Sequence, residues 1–371
     1  MDDDASLGAD GLKCYQIFIS SFYLVACTVG LVGNCLVMHL IKAKSVTGLT
    51  AIDVFIFCLA LADFQFALTL PFWAADAFLD SSWPFGHTLC KIVLTMTVLN
   101  IYVTVFLLTA MAITRYCAVA SALSFRCRVS ASSAKWISLA LWLSAVVATL
   151  PTAIFATTGT VYGEELCLLK FPKLSWLATY HLQKVIIGFF IPFLLIFLSY
   201  MMLLNFLRQH RVNVSNRNRQ SRIANSVQVV VAAFFLCWFP NHAATFWGIL
   251  VKYKVLPWSN AYYIFHTYVY PIAICLAHCN SCLNPVIYCL MRKEFRKALK
   301  TLFWQIYHDL DGDYRYTMTW MDEYYRYTMT WMDEYYRYNV TWMNDITIYH
   351  DLDDEYYRYT MTGWMNITDI P

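Results

Sequence analysis

The chain has 371 residues, of which 59% are hydrophobic, 17% aromatic and only 14% charged. A soluble domain of this length needs more charge on its surface and breaks its apolar runs with turn signals. The net charge of +3 excludes little by itself, but the long apolar runs exclude an ordinary water-soluble fold.

About 20 apolar residues cross the hydrocarbon core of a bilayer. Seven runs meet that length, near residues 15–43, 51–79, 87–121, 134–157, 176–208, 222–252 and 260–291. The expected fold is an all-α membrane protein, a seven-transmembrane helix bundle. A short segment, 1–14, precedes it, and its four aspartates and missing basic region do not read as a cleavable leader. Residues 15–303 form the membrane domain, and 304–371 a repetitive tail.

Lys and Arg set the orientation. With the N-terminus outside, the inner segments hold Lys42, Lys44, Arg126, Arg128, Lys135, Arg208, Arg211, Arg217, Arg219, Arg222, Arg292, Lys293, Arg296, Lys297 and Lys300. The outer segments hold only Lys13, Lys170, Lys173, Lys252 and Lys254. The predicted topology is multi-pass, with the N-terminus extracellular.

Of 13 cysteines, most fall inside spans, where a thiol behaves as a small hydrophobe. Cys90 and Cys167 both lie on the expected outer side, where the oxidising compartment favours a disulfide over two free thiols.

Polar groups in a bilayer are expensive and mark function by default. Asn34, Asp63, Asn100, Asn280, Ser281 and Asn284 sit mid-span. Asp63 has no basic residue at its depth. A Na⁺ held by Asp63, Asn100, Asn280 and Ser281 answers that need. So does a protonated carboxyl hydrogen-bonded to the asparagines. Prolines at 71, 151, 192, 240, 271 and 285 interrupt five of the seven spans and are expected to kink or loosen them.

After span seven, residues 292–303 alternate basic and apolar side chains at helical spacing. This predicts an amphipathic eighth helix on membrane lipid. In the tail, Tyr-Arg-Tyr-Thr-Met-Thr-Trp-Met starts at Tyr314 and again at Tyr325, with degenerate copies at Tyr336 and Tyr357. The units are short and lack an aliphatic core, so little stable structure is expected. Their Tyr and Thr hydroxyls suit kinases, which makes arrestin a candidate partner.

Several marks now fall in order. They are Gly33-Asn34; Leu59-Ala60-Leu61-Ala62-Asp63; Cys90; Thr114-Arg115-Tyr116; Trp142; Pro192 and Tyr200; Phe234 and Cys237-Trp238-Phe239-Pro240; and Asn284-Pro285-Val286-Ile287-Tyr288. From 15 to about 303 the chain resembles rhodopsin-like G-protein-coupled receptors. The resemblance implies a switch built on Arg115, Tyr200, Phe234, Trp238, Pro240, Asn284, Pro285 and Tyr288. It implies a heterotrimeric G protein as partner and no catalytic site or cofactor. Where many such receptors have Asp before the span-three arginine, this chain has Thr114.

A finer match lies in Thr69-Leu70-Pro71-Phe72-Trp73-Ala74, Trp83-Pro84-Phe85-Gly86, Gly163-Glu164-Glu165-Leu166-Cys167 and Cys275-Leu276-Ala277-His278. These are similar to the receptors for relaxin-3 and insulin-like peptide 5. That likeness implies a relaxin-like or insulin-like peptide hormone as ligand and Gi/o coupling that inhibits adenylate cyclase. It assigns Trp73, Asp76, Asp80 and Glu164 to the ligand, with Asp76 one methylene shorter than the expected Glu. Tyr180 and Lys184, in the outer third of span five, are expected to face the ligand, Lys184 toward the hormone's terminal carboxylate. The acids also make sense by themselves, since they would steer a basic peptide.

The alternatives are a chemokine-type receptor and, further off, a transporter. No outer cysteine pair joins the N-terminus to the third outer loop, as the first would require. No internal repeat relates the spans, and span seven has no lysine for a retinal Schiff base. Nothing in the sequence points to nucleic acid.

Overall fold

The computed structural model describes residues 2–120, 129–161, 163–209 and 214–291, with scattered positions from 296 to 326. Contacts divide the chain into residues 1–299, which hold all the elements below, and residues 300–371.

Span one lies in α1 (Asp2–Lys44), whose helix begins well before the predicted start at 15. Its end is tied to span two by a Lys44–Asp53 ion pair of 2.6 Å. Asp53 also completes a reciprocal cap with Thr50, which satisfies the first free amides of α2 (Ala51–Ala67). Span two breaks at Leu68-Thr69 and resumes as α3 (Leu70–Phe78), with Pro71 in its first turn. There a missing N–H costs nothing.

Span three is α4 (Gly86–Ala120) and span four is α5 (Ala131–Phe155). A two-stranded antiparallel hairpin follows, β1 (Ala156–Val161) and β2 (Glu164–Leu169), with Thr158 opposite Cys167. Span five is α6 (Leu174–Val185), a π turn (Ile186–Phe190) and α7 (Ile191–Gln209). Span six is α8 (Val214–Lys252). Span seven is α9 (Asn260–Ile264), a second π turn (Phe265–Val269) and α10 (Tyr270–Met291).

The two π turns have one physical origin. A proline ring clashes with the carbonyl four residues back. Those carbonyls belong to Gly188 for Pro192 and Thr267 for Pro271, and each lies inside a π turn. The wider turn makes room for the ring. Pro151, Pro240 and Pro285 are instead carried inside continuous helices.

Six helices among the described residues are long and apolar enough to cross a membrane. Span seven completes the predicted set in its three consecutive pieces. Span three is the axis of the bundle. Its apolar window is 67% buried, against 22% for spans four and five. Tyr102, Val105, Leu107, Leu108 and Met111 of α4 pack with Phe55, Leu59, Phe234 and Tyr288. Spans four and five turn Trp136, Leu143, Val147, Phe190 and Phe197 outward, as helices facing lipid do.

Residues 296–297 and 299–300 are helical, and Arg296, Lys297 and Lys300 are exposed. Residues 292–295 and 298 of the predicted eighth helix, all of the tail repeats but Arg326, and the loop arginines 126, 128 and 211 lie outside the described residues.

Candidate functional site: a polar centre and a mouth at the disulfide end

Asp63 is fully buried, and both of its oxygens are engaged. Asn100 of span three donates to one at 3.0 Å. Asn284 of span seven donates to the other at 2.7 Å. The Ser281 hydroxyl donates to the Asn100 carbonyl oxygen at 3.3 Å. Asn34 of span one donates to the Ser281 main-chain carbonyl at 3.0 Å. Spans two, three and seven thus meet at one carboxyl group, in a medium where an unpaired one would cost several kcal/mol, and span one joins them through Ser281. The structure brings Asp63, Asn100 and Ser281 together by these hydrogen bonds. Asn280, the residue before Ser281, is buried, and its side-chain oxygen has no hydrogen-bond partner among the described residues. The Asn284 side-chain oxygen is likewise without one.

The group around Asp63 therefore offers two carboxylate oxygens, a hydroxyl and the unsatisfied Asn284 amide oxygen. Oxygen-only donors of this kind suit a hard cation. No group of three or more His, Cys, Asp or Glu that could hold a metal occurs among the described residues.

Close packing brings span seven against span one. A Cβ placed on Gly33 would lie 2.8 Å from the Pro285 Cβ. Glycine is required there for the backbones to approach.

At the other end of the bundle, Cys90 and Cys167 form a disulfide, with Cα atoms 5.5 Å apart. It ties β2 to the start of span three. The Trp83 amide donates to the Glu165 carbonyl at 2.6 Å, which ties the turn after α3 to the same strand. Phe72, Trp73, Phe85 and Cys167 pack around buried Trp83, Cys90 and Val93. Trp73 is held from two sides. Its indole N–H donates to Thr97 of span three at 3.2 Å, and the His278 ring of span seven lies 5.3 Å away. Asp76 is half-buried on α3, whereas Asp80 and Glu164 are exposed. Asp80 and Ser81 both adopt left-handed backbone angles, which make the tight turn after α3.

Lys184, at the end of α6, is half-buried, with its ammonium 5.7 Å from the Tyr180 ring centroid. Tyr180 is only 3% exposed. Its hydroxyl hydrogen-bonds Thr152 at 2.8 Å and its ring packs on Phe171. It braces span five against span four.

Between the two ends, Trp238 of span six contacts Phe234 and His242, and His242 contacts Phe189 of span five. Pro240 is carried two residues beyond Trp238. Arg115 is 6% exposed and Thr114 beside it 7%. Tyr200 of span five lies within electrostatic reach of Arg115. Tyr288 is 1% exposed in the same core as Phe234.

Sequence reasoning missed Thr97 and His278 as supports of Trp73. Thr97 sits one turn from Asn100 on span three, and His278 two residues before Asn280 on span seven. That proximity to known polar positions was the available signal.

A seven-helix bundle with a buried polar centre and a disulfide-tied mouth defines a class, and comparison with known proteins agrees. Residues 33–288 match the family described as 7 transmembrane receptor (rhodopsin family). The chain belongs to that family: it is a G-protein-coupled receptor, a multi-pass plasma-membrane protein, and not an enzyme. It is 45% identical over 330 residues to Relaxin-3 receptor 1 of Mus musculus, covering 78% of this chain and 70% of that one. It is 46% identical over 304 residues to Relaxin-3 receptor 2 of Homo sapiens, covering 81% and 80%. Type-1 angiotensin II receptor of Sus scrofa is 35% identical over 289 residues, covering 76% and 79%.

Proposed function

We propose that the receptor binds a relaxin-like or insulin-like peptide hormone at the disulfide end, with the N-terminus extracellular, and signals through Gi/o at the Arg115 end to inhibit adenylate cyclase. The observation that carries the reading is the acidic rim around Trp73. Asp76, Asp80 and Glu164 stand on two segments, and the Trp83–Glu165 hydrogen bond and the Cys90–Cys167 disulfide hold those segments at one mouth. A basic peptide is steered to such a rim and held by charge-assisted hydrogen bonds. Lys184 supplies the opposite charge for the peptide's terminal carboxylate. The relatives named for relaxin-3 support the same ligand class.

A G protein engages the Arg115 end, where Tyr200 and the basic residues of the predicted inner loops gather. Trp238, Phe234, Pro240, Asn284, Pro285 and Tyr288 link the two ends. Arrestin, and anionic lipid under the basic helix after span seven, complete the expected partners. A Na⁺ held at Asp63, with Asn100, Asn280, Ser281 and the free Asn284 oxygen nearby, supplies a positive charge that stabilises the ionised carboxylate and favours the resting arrangement.

The test is cyclase inhibition in transfected cells exposed to relaxin-3, insulin-like peptide 5 and an unrelated chemokine. A response to either hormone supports the reading. A response to the chemokine alone overturns it.

A further inference from the structure

The spans divide their charge unevenly. Between Glu165 and Glu294 the sequence contains no Asp or Glu, so spans five, six and seven carry no acid at either end. The acids of the mouth, Asp76, Asp80 and Glu164, all precede them. A small cavity of about 80 Å³ lies at the disulfide end of these three spans. Span five lends it His181, span six Lys252, and span seven Tyr262, His266 and Tyr270. His266 stands in the π turn Phe265–Val269, between the rings of Tyr262 at 5.5 Å and Tyr270 at 4.9 Å.

Lys252 is exposed and lies within electrostatic reach of both imidazoles. Lys184 also lies within reach of His181. Neither lysine makes an ion pair among the described residues. The His181 Nδ1 is buried and has no hydrogen-bond partner among them. An imidazole can present an N–H whether neutral or charged. The cavity thus gathers donors from three helices, and no carboxylate lines it. A cation entering it would meet the Lys252 ammonium with nothing to offset the repulsion. An apolar side chain would leave the buried ring nitrogen unpaired. A compact anion accepts from all three sides. At about 30 Å³ per water, the space holds two or three water-sized groups, the size of a carboxylate with a water beside it.

We propose that the cavity between His181, Lys252 and His266 is a carboxylate-binding subsite. Its ligand is one compact carboxylate, carried by an acidic side chain of the peptide hormone or free in solution. The first source rests on the peptide-ligand reading above; the second does not. The mouth is then two-sided. The acidic rim of span two and the hairpin takes basic groups of the hormone, and the subsite at spans five to seven takes an acidic one. A peptide carrying both charges is held in one orientation, because the reverse would set like charges together on both halves.

The experiment uses the purified full-length receptor with isotopically labelled histidine rings, followed by magnetic resonance. Sodium acetate is titrated against sodium chloride at equal sodium concentration and ionic strength. The His181 and His266 signals, assigned by their loss in His181→Gln and His266→Gln, should shift saturably with acetate and much less with chloride. The acetate shift should vanish in Lys252→Ala and return in Lys252→Arg. It should persist in Lys254→Ala, a neighbouring lysine that does not line the cavity. A second arm measures binding of relaxin-3 and insulin-like peptide 5 with their carboxyl groups free or converted to amides. Amidation should weaken binding, and the loss should be about three- to fivefold smaller in Lys252→Ala than in the wild type, the scale of one exposed ion pair. Equal shifts with both salts, or an acetate shift unchanged in Lys252→Ala, would overturn the subsite. Equal amidation losses in the two receptors, with the acetate shift intact, would overturn the hormone as the source and assign the site to a free carboxylate. Failure of both hormones to bind the wild type, with the acetate shift intact, would overturn the ligand reading and support the subsite alone.

Discussion

Gly33 of span one and Pro285 of span seven meet so closely that a single added methyl on the glycine would sit 2.8 Å from the proline Cβ. The contact lies one residue from Asn34 and one from Asn284, which belong to the hydrogen-bonded group around Asp63. Packing and polar bonding therefore hold the same pair of spans at the same depth.

Gly33→Ala should lower stability by about 1–3 kcal/mol, the usual cost of overpacking a tight core. Gly188→Ala is the comparison, because a Cβ there meets Tyr102 at 3.5 Å, an ordinary contact. Thermal unfolding of the purified receptor should show a clear drop for the first variant. Equal midpoints for both would mean that the span-one contact relaxes freely.

Raising sodium should lower agonist affinity, and Asp63→Asn should abolish that dependence. The substitution removes the charge that holds the cation and keeps the size of the side chain. Competition binding in sodium and in a large organic cation at matched ionic strength separates the two causes. An equal response to both salts would point to screening of the acidic rim.

Asp80→Ala and Glu164→Ala should each weaken binding of a basic relaxin-like hormone. Hydrogen bonds to charged groups are worth about 1.5–3 kcal/mol when well formed. Both acids are exposed in the free receptor, so the low end of that range is expected before the hormone covers them. Saturation binding normalised to surface expression checks this. Unchanged affinity in both variants would remove the electrostatic part of the ligand reading.

Truncation after residue 305 should leave hormone binding and cyclase inhibition nearly intact. Trp73, Asp76, Asp80, Glu164, Arg115 and Tyr200 all precede the repeats. The basic segment after span seven is kept. A potency loss above about tenfold, or about 1.4 kcal/mol, would show that the repeats take part in signalling.

The spans, their order and their polar residues were legible because a bilayer imposes a length and a polarity that local sequence must obey. The same rule exposed Asp63 and its amide partners. Contacts between distant side chains were not legible. That Asn34 reaches the Ser281 backbone depends on how spans one and seven cross, which no local period encodes. The role of Tyr180 followed the same pattern. Its place near Lys184 was readable, but its hydrogen bond to Thr152 depends on the packing of spans four and five. The prolines announced where helices would yield. They did not say whether the helix would break, as before Pro71, widen, as before Pro192, or continue, as at Pro285.

The widened turn at Ile186–Phe190 shifts the phase of span five. On an unbroken helical wheel, Tyr180 and Ile196 stand about 160° apart, on opposite sides, since each residue advances about 100°. Both are nevertheless buried, at 3% each. The turn absorbs one residue beyond the α count, which brings the pair to about 60° and Tyr180 almost directly in line with buried Ser199. The span can therefore lose one residue between Ile186 and Phe190 and return to a plain α-helix with Tyr180, Ile196 and Ser199 still sharing a side. The same deletion within α7 before Ile196 would leave the wide turn in place and swing Tyr180 and Lys184 together about 100° away from the side that holds Ile196 and Ser199.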